Sequence, residues 1–305
     1  MTAPLSPQPW FATPEIVKQL PLSFRWLALY WRTMRLPNGR TPGGSFLYRL
    51  LRRFRAAFGL PSTHSVRLDE GVIWLNLADD RFNWVLAEIR ADSFEKRWLR
   101  EYLHPGGTFI DVGANHGSFS LLASRIVGDD GFVLAVEPNP VLSSLVEKTL
   151  QENHFSGSYV FRGVCSSDNE EKEFYVPVKA SSGTASLSQA VVPGRTEGIS
   201  VESSRLDDLM SRVNQAPHNL FIKIDVEGHE GDVLKGAELT IGRHRPAILF
   251  ELNPEALQKA GGSARELLEL LRDLGYTRLL SGSNETLSID QVIQAPSQQN
   301  LLALP

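Results

Sequence analysis

Four carboxylates, Asp111, Glu137, Asp225 and Glu251, stand at the ends of short β-prone apolar runs. Acids at the carboxyl ends of strands in an open α/β sheet face the crevice where such sheets bind ligands. The first of them begins the turn Asp111-Val112-Gly113-Ala114-Asn115-His116-Gly117. Residues 108–112 enter it as a strand, and Phe119, Leu122, Ala123 and Ile126 leave it at helical spacing. Strand, glycine turn and helix form a nucleotide cradle: glycine admits close backbone approach, and a helix start offers unpaired N–H groups. The glycines are spaced Gly-x-x-x-Gly, which departs from the Gly-x-Gly-x-x-Gly of a dinucleotide turn. Glu137 follows Gly117 by 20 residues. That spacing suits a carboxylate that accepts ribose hydroxyls, and it disfavours a 2′-phosphate.

A second cluster supplies groups for proton transfer. Asp225, Glu227, His229 and Glu230 follow the apolar run at 220–224, and Glu251 follows another. Clustered acids raise one another's pKa and so suit a general base. Asp225, directly at a strand end, is the best placed. His229 could be the base itself, and as a helix-start residue it could equally be structural. Glu227 could act as base or orient the adjacent loop, and Lys223 could pair with a neighbouring acid. Asp225 and Glu251 offer oxygen ligands for Mg²⁺, but the pattern does not establish a metal, and no His/Cys spacing points to zinc. Cys165 reads as a small packing residue.

These groups need a scaffold. Strands are expected over 72–77, 108–112, 132–136, 159–164, 220–224 and 246–250, with extended segments at 173–178 and 199–202 and a last pair at 276–280 and 300–304. Asp92-Ser-Phe-Glu95 resembles a capping box ahead of a helix that buries Phe94, Trp98, Leu99, Tyr102 and Leu103. Asn139 and Pro140 start a helix with Val141, Leu142, Leu145, Val146 and Leu150 inward. Further helices are expected at 206–213, 230–239 and 264–274. Residues 179–199 read as a loop, whose Ser181, Ser182, Thr184, Ser186 and Ser188 suit a hydroxyl-rich acceptor or a solvated connection. Alternating strands and helices argue for an open, mostly parallel α/β sheet.

Composition bounds the rest. The 305 residues allow one or two domains, with 42% hydrophobic and 22% charged residues, ordinary values for a globular chain. One cysteine excludes an intramolecular disulfide framework and fits a reducing cytoplasm. No apolar run is long enough to span a bilayer, and residues 1–10 lack the pattern of a secretory signal. Residues 1–60 carry nine basic side chains and one acid, against 22 and 34 in the remainder. Residues 1–9 read as mobile, 22–34 as dense in large apolar groups including Tyr30 and Trp31, and 37–44 as a breaker-rich linker. Ser45 then caps a helix with Phe46, Leu47, Leu50, Leu51, Phe54 and Phe58 on one arc and Arg49, Arg52, Arg53 and Arg55 on the other. That helix is expected to pack on the body with solvated arginines; a membrane-surface role for residues 22–58, and an oligomer contact, stay open. No nucleic-acid-binding signature accompanies the arginines.

The segments Asp-Val-Gly-Ala-Asn-His-Gly, Val-Glu-Pro-Asn-Pro and Ile-Lys-Ile-Asp-Val-Glu-Gly-His-Glu, in that order, resemble the FkbM-type methyltransferases. The resemblance covers roughly residues 100–304, including the closing Asn-Leu-Leu-Ala-Leu-Pro. It implies a class I, Rossmann-like fold, S-adenosylmethionine as cofactor, and hydroxyl acceptors such as sugars or polyketide-type metabolites. It also implies that the backbone from Gly113 through Asn115 to Gly117 passes the methionine moiety. Asp111 would hold the turn or the cofactor's ammonium group, Glu137 the ribose, and Val164-Cys165-Ser166 would lie by the adenine.

The expected fold is therefore a Rossmann-like class I methyltransferase sheet with helices on both faces, preceded by a helical, basic extension. Residues 1–90 form that extension and 91–305 the S-adenosylmethionine-binding domain. The expected activity is O-methylation of a small-molecule or glycan acceptor, with Asp225, His229, Glu227 and Glu251 as catalytic candidates. The alternatives are an NAD-dependent oxidoreductase and a non-catalytic nucleotide-binding module of the same fold.

Overall fold

The computed structural model describes residues 14–33, 44–79, 81–178, 182–213 and 218–305. The proline-rich start at 1–9, the linker at 37–43, the side chains of Tyr30, Trp31 and Ser45, and Ser181 lie outside the described residues. The chain opens with α1 (Pro14–Gln19), α2 (Leu22–Thr33), α3 (Gly44–Ala57), β1 (Thr63–Leu68), β2 (Gly71–Asn76), α4 (Phe82–Arg90) and α5 (Phe94–Tyr102). It continues through β3 (Thr108–Val112), α6 (Ser118–Val127), β4 (Phe132–Val136), α7 (Pro140–Glu152), β5 (Ser158–Phe161), β6 (Gly163–Cys165), β7 (Lys172–Pro177) and β8 (Thr196–Ser204). Next come α8 (Leu206–Arg212), β9 (Leu220–Ile224), α9 (Glu230–Lys235), α10 (Glu238–His244) and β10 (Ala247–Leu252). The last elements are α11 (Pro254–Lys259), α12 (Ala264–Asp273), β11 (Arg278–Leu280), β12 (Thr286–Ser288), α13 (Ile289–Gln294) and β13 (Gln299–Leu304).

β3, β4 and β9 are buried at every position, because helices cover both faces of the sheet. Alternate residues face opposite layers. Ile110, Leu134, Ile222 and Ile248 pack with the side of α9, α12 and α13, while Phe109, Val133, Phe221 and Leu249 pack with α5, α6 and α7. The eight strands run β12-β11-β13-β10-β9-β3-β4-β5. The five from β10 to β5 are parallel, and β13, β11 and β12 are antiparallel. The chain lays β4 and β5 on one side of β3, then returns to lay β9 on the other. A crevice opens at that reversal, outside the carboxyl ends. This is the Rossmann-like class I architecture with helices on both faces.

Several elements differ from the pattern read in the sequence. The strand expected at 159–164 is two strands, β5 in the large sheet and β6 in a small sheet ordered β6-β8-β7. The chain turns between them at Arg162, whose guanidinium reaches Glu147 at 2.6 Å. The helix expected at 230–239 breaks into α9 and α10 at Gly236, where a Cβ would lie 2.0 Å from the Ser166 carbonyl oxygen. The loop expected at 179–199 already becomes β8 at Thr196, and the strand carrying Glu251 runs on to Leu252. The cap of α5 is Ser93, one residue after Asp92, accepting from Lys96 N. Val141 is exposed rather than inward.

The arc assigned to α3 is also rotated. Tyr48 and Arg55 are buried and Leu47 and Leu51 half-buried, whereas Phe46, Leu50, Phe54 and Phe58 face outward. Arg55 is not solvated: it donates to Ser23 Oγ at 3.0 Å and to the Pro61 carbonyl at 2.6 Å, and lies over the Phe24 ring.

The described residues from α1 to α4 share a core, with Ile16, Leu20, Phe24, Val66, Ile73, Leu75, Phe82 and Leu86 packed around Leu121 of α6. Asn153, just past α7, fastens the β1–β2 hairpin. Its Oδ1 accepts from Val72 N at 2.9 Å, and its Nδ2 donates to the Val72 and Thr149 carbonyls, both at 2.6 Å. Asn153→Ala strands these backbone groups, so equilibrium urea unfolding should show a loss of about 1–3 kcal/mol. An unchanged midpoint would mean that the hairpin is held by its apolar face alone.

Candidate active site

The turn after β3 is held against the end of β9. Gly113 has φ +83°, and a Cβ there would sit 1.9 Å from the Asp225 carbonyl oxygen. Only glycine fits this approach. The N–H groups of Gly113 and Ala114 both donate to the Val136 carbonyl, at 3.1 and 3.0 Å, and Asp225 N donates to the Val112 carbonyl at 3.0 Å. Three strand ends are thus laced together at the reversal of strand order.

Glu137 is buried beneath this turn. One oxygen accepts from Asn115 N at 2.7 Å, the other from Asn139 N at 2.8 Å. Each oxygen keeps a lone pair for a further donor such as a ribose hydroxyl. Burial pushes Glu137 up to about 8, against the pull of the two backbone donors. A cleft of about 440 Å³ opens here, its walls including Gly113, Asn115, Glu137, Cys165, Asp225 and Glu227. Its size is that of a small-molecule site.

The other expected donor-side residues sit less directly. Asp111 Oδ2 accepts from Ser120 Oγ at 2.7 Å, and its Oδ1 lies 3.5 Å from Lys223 Nζ, so it braces the turn from behind. Gly117 packs on Val146, and the Ser166 carbonyl on Gly236, both behind the cleft wall. Cys165 lines the cleft as a neutral thiol, since burial pushes it up to about 12. Val136, Leu142, Val164 and Phe174 give the same cleft an apolar side.

Asp225, Glu227 and Glu251 bring carboxylate oxygens within 4.8 Å of one another. Burial first, then Asp225 and Glu251, push Glu227 up to about 9. Burial and Asp225 likewise raise Glu251, whose Oε1 accepts from Gln298 Nε2 at 3.0 Å. Burial alone would lower Lys223, but Asp225 and Asp111 outweigh it and hold the ammonium charged. His229 lines the cleft with Nδ1 3.2 Å from Asp232 Oδ2, and its Nε2 has no hydrogen-bond partner among the described residues. Glu230 serves the loop: its Oε1 accepts from Val226 N at 3.3 Å and from Gly228 N at 3.2 Å.

The sequence reading missed α4. Arg81, Trp84 and Glu88 line the same cleft, and they also line an adjoining cavity of about 670 Å³ that shares Asp225, Glu251 and Asn300 with it. The signal was present as Phe82, Val85, Leu86 and Ile89 at helical spacing, all buried, which leaves residues 81, 84 and 88 on the other face. The serine-rich segment forms part of the wall. Asn115 Nδ2 donates to Ser182 Oγ at 3.3 Å, and Ser186 Oγ donates to the Glu227 carbonyl at 2.9 Å.

These residues fit S-adenosylmethionine. Its ribose diol matches the spare lone pairs of Glu137, its adenine the apolar side of the cleft, and its positive charge an acid-rich wall. Asp225, Glu227 and Glu251 are also three hard oxygen donors of the kind a divalent cation takes. The raised acids set a pH dependence. The folded chain holds protons on Glu227 to about pH 9 and on Glu137 to about pH 8, whereas the ordinary value is 4.5. Their contribution to stability is therefore full below pH 4.5 and is lost as pH rises through those values. Glu227→Gln fixes the uncharged form, so its urea midpoint should fall less than the wild type's between about pH 5 and pH 9. Parallel curves for the two proteins would exclude a proton held at Glu227.

A family model described as the methyltransferase FkbM domain matches residues 111–278. The hexuronic acid methyltransferase AglP of Haloferax volcanii is 28% identical over 154 residues, which are 50% of this chain and 59% of that protein. The chain therefore spans less than two thirds of that relative's length. Among solved structures, the methyltransferase FkbM of Methylobacillus flagellatus KT aligns at 17% identity and a TM-score of 0.40, over 75% of this chain and 56% of its own. Aeropyrum pernix fibrillarin, solved with S-adenosyl-L-methionine, aligns at 11% identity and a TM-score of 0.41, over 80% of this chain and 94% of its own. With more than half of its length matched by the family model, the chain belongs to the FkbM methyltransferase family.

Proposed function

We propose that this chain is an S-adenosylmethionine-dependent O-methyltransferase whose acceptor is a sugar hydroxyl. The observation that carries the reading is one cleft with two chemistries. Glu137 offers a ribose-binding carboxylate on one wall, and Asp225, Glu227 and Glu251 offer proton-handling groups on another. A sugar acceptor is favoured by the similarity to a hexuronic acid methyltransferase and by the makeup of the adjoining cavity. That cavity sets an indole, Trp84, beside the polar groups of Arg81, Glu88, Glu95 and Asn300. An apolar ring face with flanking hydrogen-bonding groups suits the two sides of a pyranose.

When bound, the cofactor supplies a methyl group already activated by the sulfonium. The chain then has to hold an acceptor oxygen in line and take its proton as the new bond forms. Asp225 is the base in this reading. Its Oδ2 accepts from Lys223 Nζ at 3.3 Å, and the adjoining cavity opens onto the same carboxylate. Glu227, held protonated, donates a hydrogen bond to the acceptor oxygen and fixes its direction. Glu251, tied by Gln298, closes the far side. His229 Nε2 is the second base candidate, with its ring oriented by Asp232. No metal has a role in this scheme.

Labelled S-adenosylmethionine should transfer methyl to members of a panel of hexuronic-acid-bearing and neutral oligosaccharides, and EDTA should leave the rate unchanged. Asp225→Asn should lower kcat by about 10²–10⁴-fold while the cofactor still binds. Retained turnover would move the base to His229. Trp84→Ala should raise the acceptor KM by about tenfold with little change in kcat. Methylation of no sugar by a chain that binds the cofactor would contradict the acceptor assignment.

A further inference from the structure

We infer that the outward faces of α2 and α3 form a docking surface for an anionic lipid bilayer. Twelve large apolar side chains stand out as exposed among the described residues, and seven of them fall between Leu22 and Leu60. On α3, Phe46, Leu50 and Phe54 recur every four residues and Phe58 continues the line just past its end. They are 62%, 54%, 50% and 68% exposed. The rings of Phe54 and Phe58 touch, tilted by 40° with 4.5 Å between centroids, at the end of this apolar ridge. On α2, Leu22 and Trp26 are 70% and 72% exposed, on the side opposite the buried Phe24 and Leu27. Such a concentration marks an interaction surface.

Charge selects the occupant. α3 carries Arg49, Arg52, Arg53 and Arg55 and no acid, and only Arg55 is buried in the fold. Arg49 and Arg53 are exposed beside the apolar ridge. An apolar ridge flanked by arginines is the makeup of a helix that lies in the headgroup layer, its ridge among acyl chains and its cations on lipid phosphates. A second copy docking by two-fold symmetry would set arginines against arginines, and a nucleic acid would leave the ridge without an apolar partner. Between α3 and the end of the hairpin runs a groove of about 530 Å³ that pairs Leu50, Leu60 and Leu77 with Arg49, Arg52 and Arg53. Such a lining matches the two ends of an anionic lipid. The groove's wall ends at Ala78, next to Asp79, whose Oδ1 accepts from Ser182 N at the cleft, 3.2 Å away. Among the described residues no helix is long and apolar enough to cross a membrane, so the contact lies along the bilayer surface.

Flotation of the full chain tests this. Phosphatidylcholine vesicles are compared with vesicles of equimolar phosphatidylcholine and phosphatidylglycerol. The chain should float with the phosphatidylglycerol mixture, weakly or not at all with phosphatidylcholine alone, and less as salt is raised. Leu50→Ser with Phe54→Ser should abolish flotation. Arg49→Ser with Arg53→Ser should reduce partitioning about thirtyfold. All four positions are exposed, so both double variants should keep wild-type urea midpoints, which separates lost docking from lost folding. Failure to float with the anionic vesicles overturns the inference, as does equal flotation of the double variants. A concentration-dependent dimer broken by Leu50→Ser with Phe54→Ser, without vesicle binding, would assign the ridge to a second copy instead.

Discussion

A buried ammonium holds the two halves of the cleft together. Lys223 on β9 is paired in register with Asp111 on β3, the two strands that flank the reversal of strand order. Its Nζ lies 3.5 Å from Asp111 Oδ1, 3.3 Å from Asp225 Oδ2, and 5.4 Å from the centre of the Phe119 ring. A lone ammonium in this position would be expensive to bury, and a lone Asp111 equally so; together they compensate. The pair fixes the strand ends so that Gly113 can rest against the Asp225 backbone. The two sides of the cleft are thereby set by one cross-strand contact.

The remaining electrostatics follow from an excess of acid in a small volume. Lys223 offsets Asp111 and Asp225, leaving Glu137, Glu227 and Glu251 to share a poorly solvated space. Burial and their neighbours' charge raise all three, Glu227 to about 9 and Glu137 to about 8. A cationic ligand would relieve the same strain by lowering those pKa values, so cofactor binding and proton release are linked. The two devices differ in kind. Glu137 is locked by two backbone N–H groups, whereas the Asp225 cluster borders the adjoining cavity.

Much of this was legible in the residues. β3, β4 and β9 are short apolar runs bounded by glycine or an acid, and strands covered on both faces leave that signature. The acids at their ends mark the crevice in the sequence itself. What was hidden depended on distant partners. Gly236 is itself a helix-ending residue, but the close approach of the Ser166 carbonyl that demands glycine there comes from a distant segment. Periodicity found the apolar arc of α3 but not which part of it the body covers, because Leu47 and Leu51 carry the same local signal as Phe46 and Leu50. α4 mixes charges with apolar groups in a nine-residue helix, and only the fold brings Arg81, Trp84 and Glu88 to the strand ends. The wall that α4 helps to build was harder to read than the glycine turn for this reason: it is assembled from segments far apart in the chain.

The central claim is that Glu137 and the glycine turn form a site for S-adenosylmethionine. Titration calorimetry of the full chain tests it most directly, with S-adenosylmethionine and NAD as ligands and Glu137→Ala alongside the wild type. The account predicts saturable one-to-one binding of S-adenosylmethionine, none of NAD, and an affinity lowered at least about tenfold by the substitution. Binding of NAD in its place, or an affinity for S-adenosylmethionine that Glu137→Ala leaves unchanged, would contradict it.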